Sequence, residues 1–360
     1  MKNLILLLTF IIFSGVTVSA QGFKVKKLSA QTVQNKRNKG AYSATYKAYV
    51  TKAYSAEKSL PKKYRTDGTQ DYTSNIQSAI NKHDVILLPN FPILISDTGL
   101  KLRSNQVLLF QPNSLLKLKP TAKNSYNILS LNNISNVKIY YANIEGDKYS
   151  HLAKDGQWGF GISIKSSRNI NIYSPYIKRT WGDGIYIGQL NNVPSENIFV
   201  YNAVIDDVRR NGISITSGRS IDIVNCYIAN THGNSPESGL DIEPNSINDA
   251  IENVNIKNLS TYNNKWAGLL FVFEQFKSNK GKSVSINVDG HTDDGSKNAV
   301  AFHGYKNTQY NNLSGAINLA NTNYRNNSQK TFLYKTSMSK LMLKTADKDL
   351  ENKFNSFKRK

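Results

Sequence analysis

Apolar and other residues alternate in short bursts through the middle of the chain. Each burst opens on glycine: Gly161-Ile-Ser-Ile, Gly184-Ile-Tyr-Ile, Gly212-Ile-Ser-Ile, Gly239-Leu-Asp-Ile and Gly268-Leu-Leu-Phe. These glycines stand 23, 28, 27 and 29 residues apart. Alternation with a period of two marks a half-buried strand. Its return at a near-constant interval marks a solenoid, whose coils bury their apolar sides only by stacking. One such strand in every coil predicts a parallel β-helix.

A second series keeps phase with the first: Asn136-Val-Lys-Ile, Asn169-Ile-Asn-Ile, Asn197-Ile-Phe-Val, Ser220-Ile-Asp-Ile and Asn253-Val-Asn-Ile. Asn tolerates left-handed backbone and bonds locally, so it predicts a bend. Stacked coils would align these side chains in a hydrogen-bonded ladder. A third short strand follows each time, at Ala142-Asn-Ile144, Tyr176-Ile177, Ala203-Val-Ile205 and Cys226-Tyr-Ile228. Three strands and three bends fit the repeat length. The LxxLxLxxN spacing of a leucine-rich solenoid does not occur.

Two stretches make the chain resemble the right-handed parallel β-helix proteins of the pectate-lyase type, a superfamily of mostly carbohydrate-active enzymes. One is Thr66-Asp-Gly-Thr-Gln-Asp-Tyr-Thr-Ser-Asn-Ile-Gln-Ser-Ala-Ile80 with Val85-Ile-Leu-Leu-Pro89, similar to the family's entry segment, where a short helix caps the first coil. The other comprises Gly182-Asp-Gly-Ile, Arg210-Asn-Gly-Ile and Ser238-Gly-Leu-Asp-Ile-Glu-Pro-Asn245. The resemblance spans residues 66 to 320. It implies an all-β chain: a right-handed parallel β-helix with a short N-terminal capping helix. The chain departs from the family at Tyr72, where a second Asp is usual, but that position belongs to the cap. This scaffold hosts lyases, hydrolases, epimerases and binding proteins, so the resemblance bears on fold more than on reaction.

The ends carry a separate message. Residues 1–20 combine Lys2, an apolar run from Leu4 to Phe13 and Val18-Ser-Ala20, the pattern of a cleaved secretory signal. That run is short for a membrane anchor, and no other segment suits a bilayer span. The expected location is secreted or periplasmic. Net charge is +21, but it is distributed as +11 over residues 21–65, +6 over 330–360 and only +3 over 66–329. The expected division is a signal peptide (1–20), a basic segment (21–65), the β-helix (66–329) and a basic tail (330–360). Basic ends containing Tyr and Ser are expected to be partly disordered or loosely docked. They would either attach to an anionic cell surface or solvate the solenoid's ends. No recognised nucleic-acid module is present, so nucleic acid is a poor partner. The single Cys226 excludes an intrachain disulfide and reads as a small buried hydrophobe.

With the Ile residues inward, the side chains between them emerge on one face. In coil order these are Ser163 and Lys165, Tyr186 and Gly188, Ser214 and Thr216, Asp241 and Glu243, Leu270 and Val272. Coils stack ~4.8 Å apart, so Asp183 is expected about 10 Å from the Asp241–Glu243 pair, two coils away. Like charges this close push one pKa up, which lets one carboxyl act as an acid while the other stays ionised. The same pair is a candidate Ca²⁺ site. Plain solvation of an outward face is the bland alternative. Asp183, Arg210 and His232 nearby tip the balance towards a catalytic cluster. Asp183 also suits a turn before glycine. Arg210 has the fork to clamp a uronate carboxylate or to serve as a poised base. Trp181, Tyr186 and Trp266 are candidates for a sugar-stacking platform, with Asn211 as a substrate contact, although aromatics also pack between coils. Glu237, Glu274, His291 and His303 carry no distinguishing argument. No zinc pattern, phosphate loop, nucleophile elbow or dinucleotide fingerprint is present.

Three functions fit an extracellular polysaccharide as partner. A lyase cleaving a uronate-containing glycan by β-elimination is placed first. A glycoside hydrolase with paired carboxylates follows; a C5-epimerase would use groups similar to the lyase's. A non-catalytic glycan-binding or adhesive β-helix is the third.

Overall fold

The computed structural model describes residues 22–276, 281–303, 313–333 and 340–356. The expected signal peptide lies outside the described residues. Strands form three parallel sheets, of eleven, nine and nine strands among the described residues, and successive strands pass from sheet to sheet. The result is the expected right-handed parallel β-helix. One coil illustrates the plan: Ser195–Tyr201 in the first sheet, Val204–Asp206 in the second and Ile213–Ile215 in the third.

The glycine-led strands all lie in the third sheet and stack in register. Ile162, Ile185, Ile213, Leu240 and Leu269 form one inward column. Ile164, Ile187, Ile215, Ile242 and Phe271 form the next. All ten are fully buried, and each contributes on the order of 1.5–3 kcal/mol of apolar transfer. The leading glycine has a steric cause. A Cβ on Gly184 would stand 2.7 Å from the carbonyl oxygen of Gly212 and 2.7 Å from Cγ2 of Ile205. The corner between sheets has room for a backbone and nothing more.

The Asn series forms the expected ladder. Asn136 donates its side-chain amide to Asn105 (2.9 Å), Asn169 to Asn136 (2.9 Å) and Asn197 to Asn169 (3.1 Å). Each has left-handed φ, between 53° and 63°, which Asn adopts at small cost.

Both ends are closed by helices. Thr73–Lys82 caps the first coil with Ile76, Ala79 and Ile80 buried. Asp71 accepts from the Thr73 backbone and hydroxyl, and Tyr72 is buried within this cap. At the other end, Lys348–Ser356 sets Phe354 against Phe302, ring centres 5.0 Å apart.

The basic ends differ from expectation. Residues 22–65 are neither disordered nor loosely docked; they form a strap across the coils. Its extended start is held by bend asparagines: Asn263 donates to the Lys24 carbonyl (3.1 Å) and Asn230 to that of Lys26 (3.1 Å). Helix Ala30–Arg37 then buries Arg37, whose guanidinium donates to the carbonyls of Ser174, Tyr141 and Ala142. Helix Ser43–Val50 lays Tyr46 against Tyr141, and Tyr42, just before it, against Tyr173. Strap lysines pair with tyrosine rings on the coils, Lys36 over Tyr227 and Lys39 over Tyr141. Basic and Tyr-rich composition here reflects cation–π docking. The described part of the basic tail is likewise coil and cap, through Gln329–Leu333, Lys340–Thr345 and the final helix. Cys226 is buried, and burial pushes its thiol up to about 12, in keeping with an inert hydrophobe.

Two substitutions test this account. Gly184→Ala should cost about 1–3 kcal/mol by overpacking, whereas Gly40→Ala, with open space around it, should be near neutral; urea unfolding of both reads the difference. Arg37→Ala should leave three carbonyls without their charged donor and cost about 2–3 kcal/mol. Limited proteolysis should then cut within residues 22–50 well before the coils.

Candidate active site

The chemistry gathers on the outer face of the third sheet, because in-register stacking turns a sequence separation of 27 to 33 residues into contact. Ser163, Tyr186, Ser214, Asp241 and Leu270 form one outward column. Glu243 follows one step along its strand, where its backbone N–H donates to the Ile215 carbonyl. Asp183 and the Arg210–Asn211 pair sit on the bends that lead into their strands.

Arg210 is the centre of the cluster. Its Nη1 donates to Asp183 Oδ2 at 3.0 Å, and its Nη2 reaches Glu243 Oε2 at 3.4 Å. The sequence-based separation of about 10 Å for Asp183 is bridged by this one guanidinium. Two flanking carboxylates, with Asp241 close by, hold the Arg210 proton more tightly than usual against the opposing effect of burial. Asp183 is fully buried, and desolvation raises its pKa while Arg210 counters the rise.

Asn211 is buried beneath the cluster and is fully committed. Its backbone N–H donates to Asp183 Oδ1 (3.1 Å), and its Oδ1 accepts from the Ser238 N–H (3.0 Å). A backbone N–H can only donate, which fixes the amide so that Nδ2 faces Asp241 Oδ2 at 2.9 Å. Asp241 is fully buried, and its other oxygen, Oδ1, has no donor. Desolvation and the neighbouring Glu243 carboxylate hold its pKa well above the ordinary value. The oxygen without a partner adds to the desolvation that favours the neutral acid. Glu243, about one-third exposed, is the member of the pair that reaches solvent.

Glu243 and Arg210 open into a cavity of about 480 Å³, bounded further by Pro236, Glu237, Trp266, Leu270, Val272, Glu274 and His303. Of the sequence candidates, Asp183, Arg210, Asn211, Asp241, Glu243 and Trp266 are brought to this place. Tyr186 lies two coils from Asp241 in the same outward column, stacked on Phe160 (4.6 Å) and bonded through its hydroxyl to Thr216 and Asn245.

Two candidates are placed elsewhere. His232 turns away to a separate cluster, where Nδ1 lies 2.9 Å from the Asn230 carbonyl oxygen and Lys148 Nζ stands 3.3 Å from Nε2. Phe23 of the strap stacks on its ring (4.6 Å). Trp181 has both faces occupied, by Arg209 at 3.7 Å and His151 at 3.9 Å, and so offers no stacking surface. Conversely, Glu274 and His303 line the cavity without having been singled out. His303 stands next to Val272 in register, but in its strand Ala299 occupies the place that glycine holds in the earlier coils, which hides the coil in the sequence.

Among the described residues no group of three or more His, Cys, Asp or Glu side chains is arranged to hold a metal ion. In the expected Ca²⁺ site, Arg210 supplies a positive charge beside Glu243, and Asp241 is held towards its neutral form.

No family model matches the chain. Two curated relatives from Bacillus subtilis (strain 168) match parts of it. The SPbeta prophage-derived uncharacterized protein YorA is 28% identical over 162 residues, 40% of this chain and 28% of its own length. The uncharacterized protein YclG is 26% identical over 216 residues, 52% of this chain and 37% of its own length. The chain thus spans well under half the length of either. Among solved structures, polygalacturonase from Erwinia carotovora superposes with a TM-score of 0.56 at 14% identity, covering 80% of this chain and 86% of that one. PfbA, a surface adhesin of Streptococcus pneumoniae, gives 0.54 at 14%, covering 82% and 79%. An iota-carrageenase from A. fortis gives 0.53 at 13%, covering 70% and 57%. At these identities the likeness is one of fold: all are similar to this chain as right-handed β-helices. No helix among the described residues is long and apolar enough to cross a membrane.

The raised Asp241 pKa has a consequence for stability. The folded-state value lies above the unfolded one, so the stability tied to protonated Asp241 is fully present below about pH 4 and is lost as pH rises through the folded value. Asp241→Asn, neutral at every pH, should match the native thermal midpoint near pH 4 and exceed it at pH 8.

Proposed function

We propose that the protein is an exported glycoside hydrolase acting on an extracellular polysaccharide. The observation that carries this reading is a pair of neighbouring carboxyls, buried Asp241 with its raised pKa and Glu243, which meets Arg210 at the edge of a cavity lined by further carboxylates. Hydrolysis of a glycosidic bond needs one carboxyl to protonate the leaving oxygen and another to attack or to activate water. In this reading Glu243, which faces the cavity, delivers the proton, and buried Asp241 resupplies it. Glu237 and Glu274 line the same cavity and are the carboxylates available for water activation; their Gln variants separate them.

The sequence-based preference for β-elimination weakens on the same geometry. A lyase needs a base for the C5 proton and a cation for the uronate carboxylate. Arg210 is bound to Asp183 and Glu243 and keeps its proton, so it suits neither task. Asp241, held towards its neutral form, suits neither base nor calcium ligand. The likeness to polygalacturonase and iota-carrageenase supports a polysaccharide-active protein and favours neither reaction through sequence.

Incubation with neutral and acidic polysaccharides should release new reducing ends without the ultraviolet absorbance of unsaturated uronate; that absorbance would replace this reading with the lyase. Glu243→Gln and Asp241→Asn should lower the rate by about 100-fold or more, the scale of lost general acid catalysis, with the fold intact by circular dichroism. The rate should fall as pH rises through the raised pKa of Asp241. Added Ca²⁺ or a chelator should leave it unchanged.

A further inference from the structure

We propose that the cavity between the strap and the coils binds an acidic polysaccharide, which enters it with an anionic group of one sugar unit. This goes beyond the hydrolase reading and does not rest on it. The cavity, of about 920 Å³, lies between helix Ala30–Arg37 with its flanking residues and Tyr176 of the second sheet, whereas the Asp241 strand belongs to the third. Lys27, Arg37 and Lys39 line it, and no Asp or Glu is among its described lining residues. None of the three cations pairs with a carboxylate of a described residue. Arg37 is buried and gives Nε and Nη2 to three carbonyls. Its Nη1 has no partner among the described residues and is not shut off from solvent. Burial and the nearby Arg37 push Lys39 down to about 8, and burial brings Arg37 down to about 10. Asn35 accepts from Gln31 through Oδ1, which leaves its NH2 to donate into the cavity lining beside Gln34 and Asn38.

The surrounding charges do not cancel this. Glu145 pairs with Lys178 (3.0 Å) and Arg179 (2.9 Å), and Asp207 with Lys148 (2.8 Å). Asp206 accepts from Asn230 (2.7 Å), and burial pushes its pKa up to about 6. On the other side of the count, Lys26 and Lys36 stand over the Tyr262 and Tyr227 rings, and residues 22–56 contain no acid. A walled cationic site concentrates anions. An oxyanion on Arg37 Nη1 and the two ammonium groups makes charge-assisted hydrogen bonds and offsets the repulsion between Arg37 and Lys39. The volume is that of a small-molecule site rather than of an inorganic ion, and the amides suit sugar hydroxyls. Lys24, Lys26, Lys36 and Lys39 are spread over coils from that of Asn263 to that of Tyr141, a row that suits a polymer of repeated charges. A lipid surface suits it less: the exposed large apolar side chains Tyr149, Leu152, Trp158, Val193 and Met342 all lie outside the strap, so it offers none of them to a bilayer.

The test titrates the Glu243→Gln protein, in which cleavage does not consume the probe, with dextran sulfate, polygalacturonate and neutral dextran of equal length. The two acidic polymers should bind, more weakly as salt screens the site, and neutral dextran should not. Lys27→Gln combined with Lys39→Gln should weaken acidic binding about tenfold or more, and Lys27→Gln alone, at an exposed position, about threefold, the scale of charges lost near an oxyanion. Circular dichroism checks the fold of each. Lys62→Gln combined with Lys63→Gln removes the same charge from exposed positions outside the cavity and should cost less than about twofold, as a distant screened pair. Equal losses from the two pairs would overturn the site, as would equal binding of neutral dextran or no binding of either acidic polymer. Vesicles containing phosphatidylglycerol form the last arm. Tighter binding to them than to the acidic polymers, lost in the Lys27 and Lys39 double variant, would assign the site to lipid and overturn the polysaccharide. A protein that passes these tests and cleaves no glycan loses the hydrolase reading and keeps this site; the converse result removes the site and leaves the hydrolase.

Discussion

Every coil of this chain hydrogen-bonds to the next through parallel strands in register, and that repeat constrains everything else. Coils lie ~4.8 Å apart, so each position in one coil stands against its equivalents above and below. An inward column accepts only residues that pack on copies of themselves, which is why Ile recurs from Ile162 to Ile242. A corner too narrow for a Cβ in one coil is too narrow in the next, and Gly184 and Gly212 share one steric reason. The asparagine bends satisfy each other's amides for the same cause.

A stacked repeat has two open ends and a long flank, each exposing groups that require cover. The capping helices close the ends with Ile76, Ile80 and Phe354. The strap covers the flank. Arg37 meets carbonyls at the bends that strand-to-strand bonding leaves over, Lys36 and Lys39 stand on tyrosine rings of the coils, and Tyr42 packs on the tyrosine column of Tyr140, Tyr173 and Tyr201. A strongly basic composition therefore stabilises the fold of a nearly neutral solenoid, and the charge of the ends is in part structural.

The candidate site turns the same repeat to a different use. Asp183, Arg210 and Glu243 come from three successive coils, yet one guanidinium touches both acids. Burying Asp183 and Asp241 opposes stability at neutral pH, because a buried carboxylate loses its hydration. Asn211 limits that cost by donating its side-chain amide to Asp241 Oδ2. The cluster is a place where stacking is kept and local stability is given up for a carboxyl whose pKa is raised.

The repeat, the Asn ladder, the cap at Thr73–Lys82 and the pairing of Asp241 with Glu243 were all legible in the sequence, because each follows from local periodicity and in-register stacking propagates it. The later coils were not, since Ala299 stands where glycine would have announced the strand that carries His303. Nor were the roles of Trp181 and His232, because their partners Arg209, His151, Lys148 and Phe23 are set by bends and by the strap, which have no period to read. Sequence alone determined which residues share a face. Only the tertiary structure decided that Arg210 is bound to two acids, that Asp241 is buried with its pKa raised, and that the basic ends are docked. Those outcomes depend on side-chain direction, burial and long-range charge, and none of these is encoded in a local pattern.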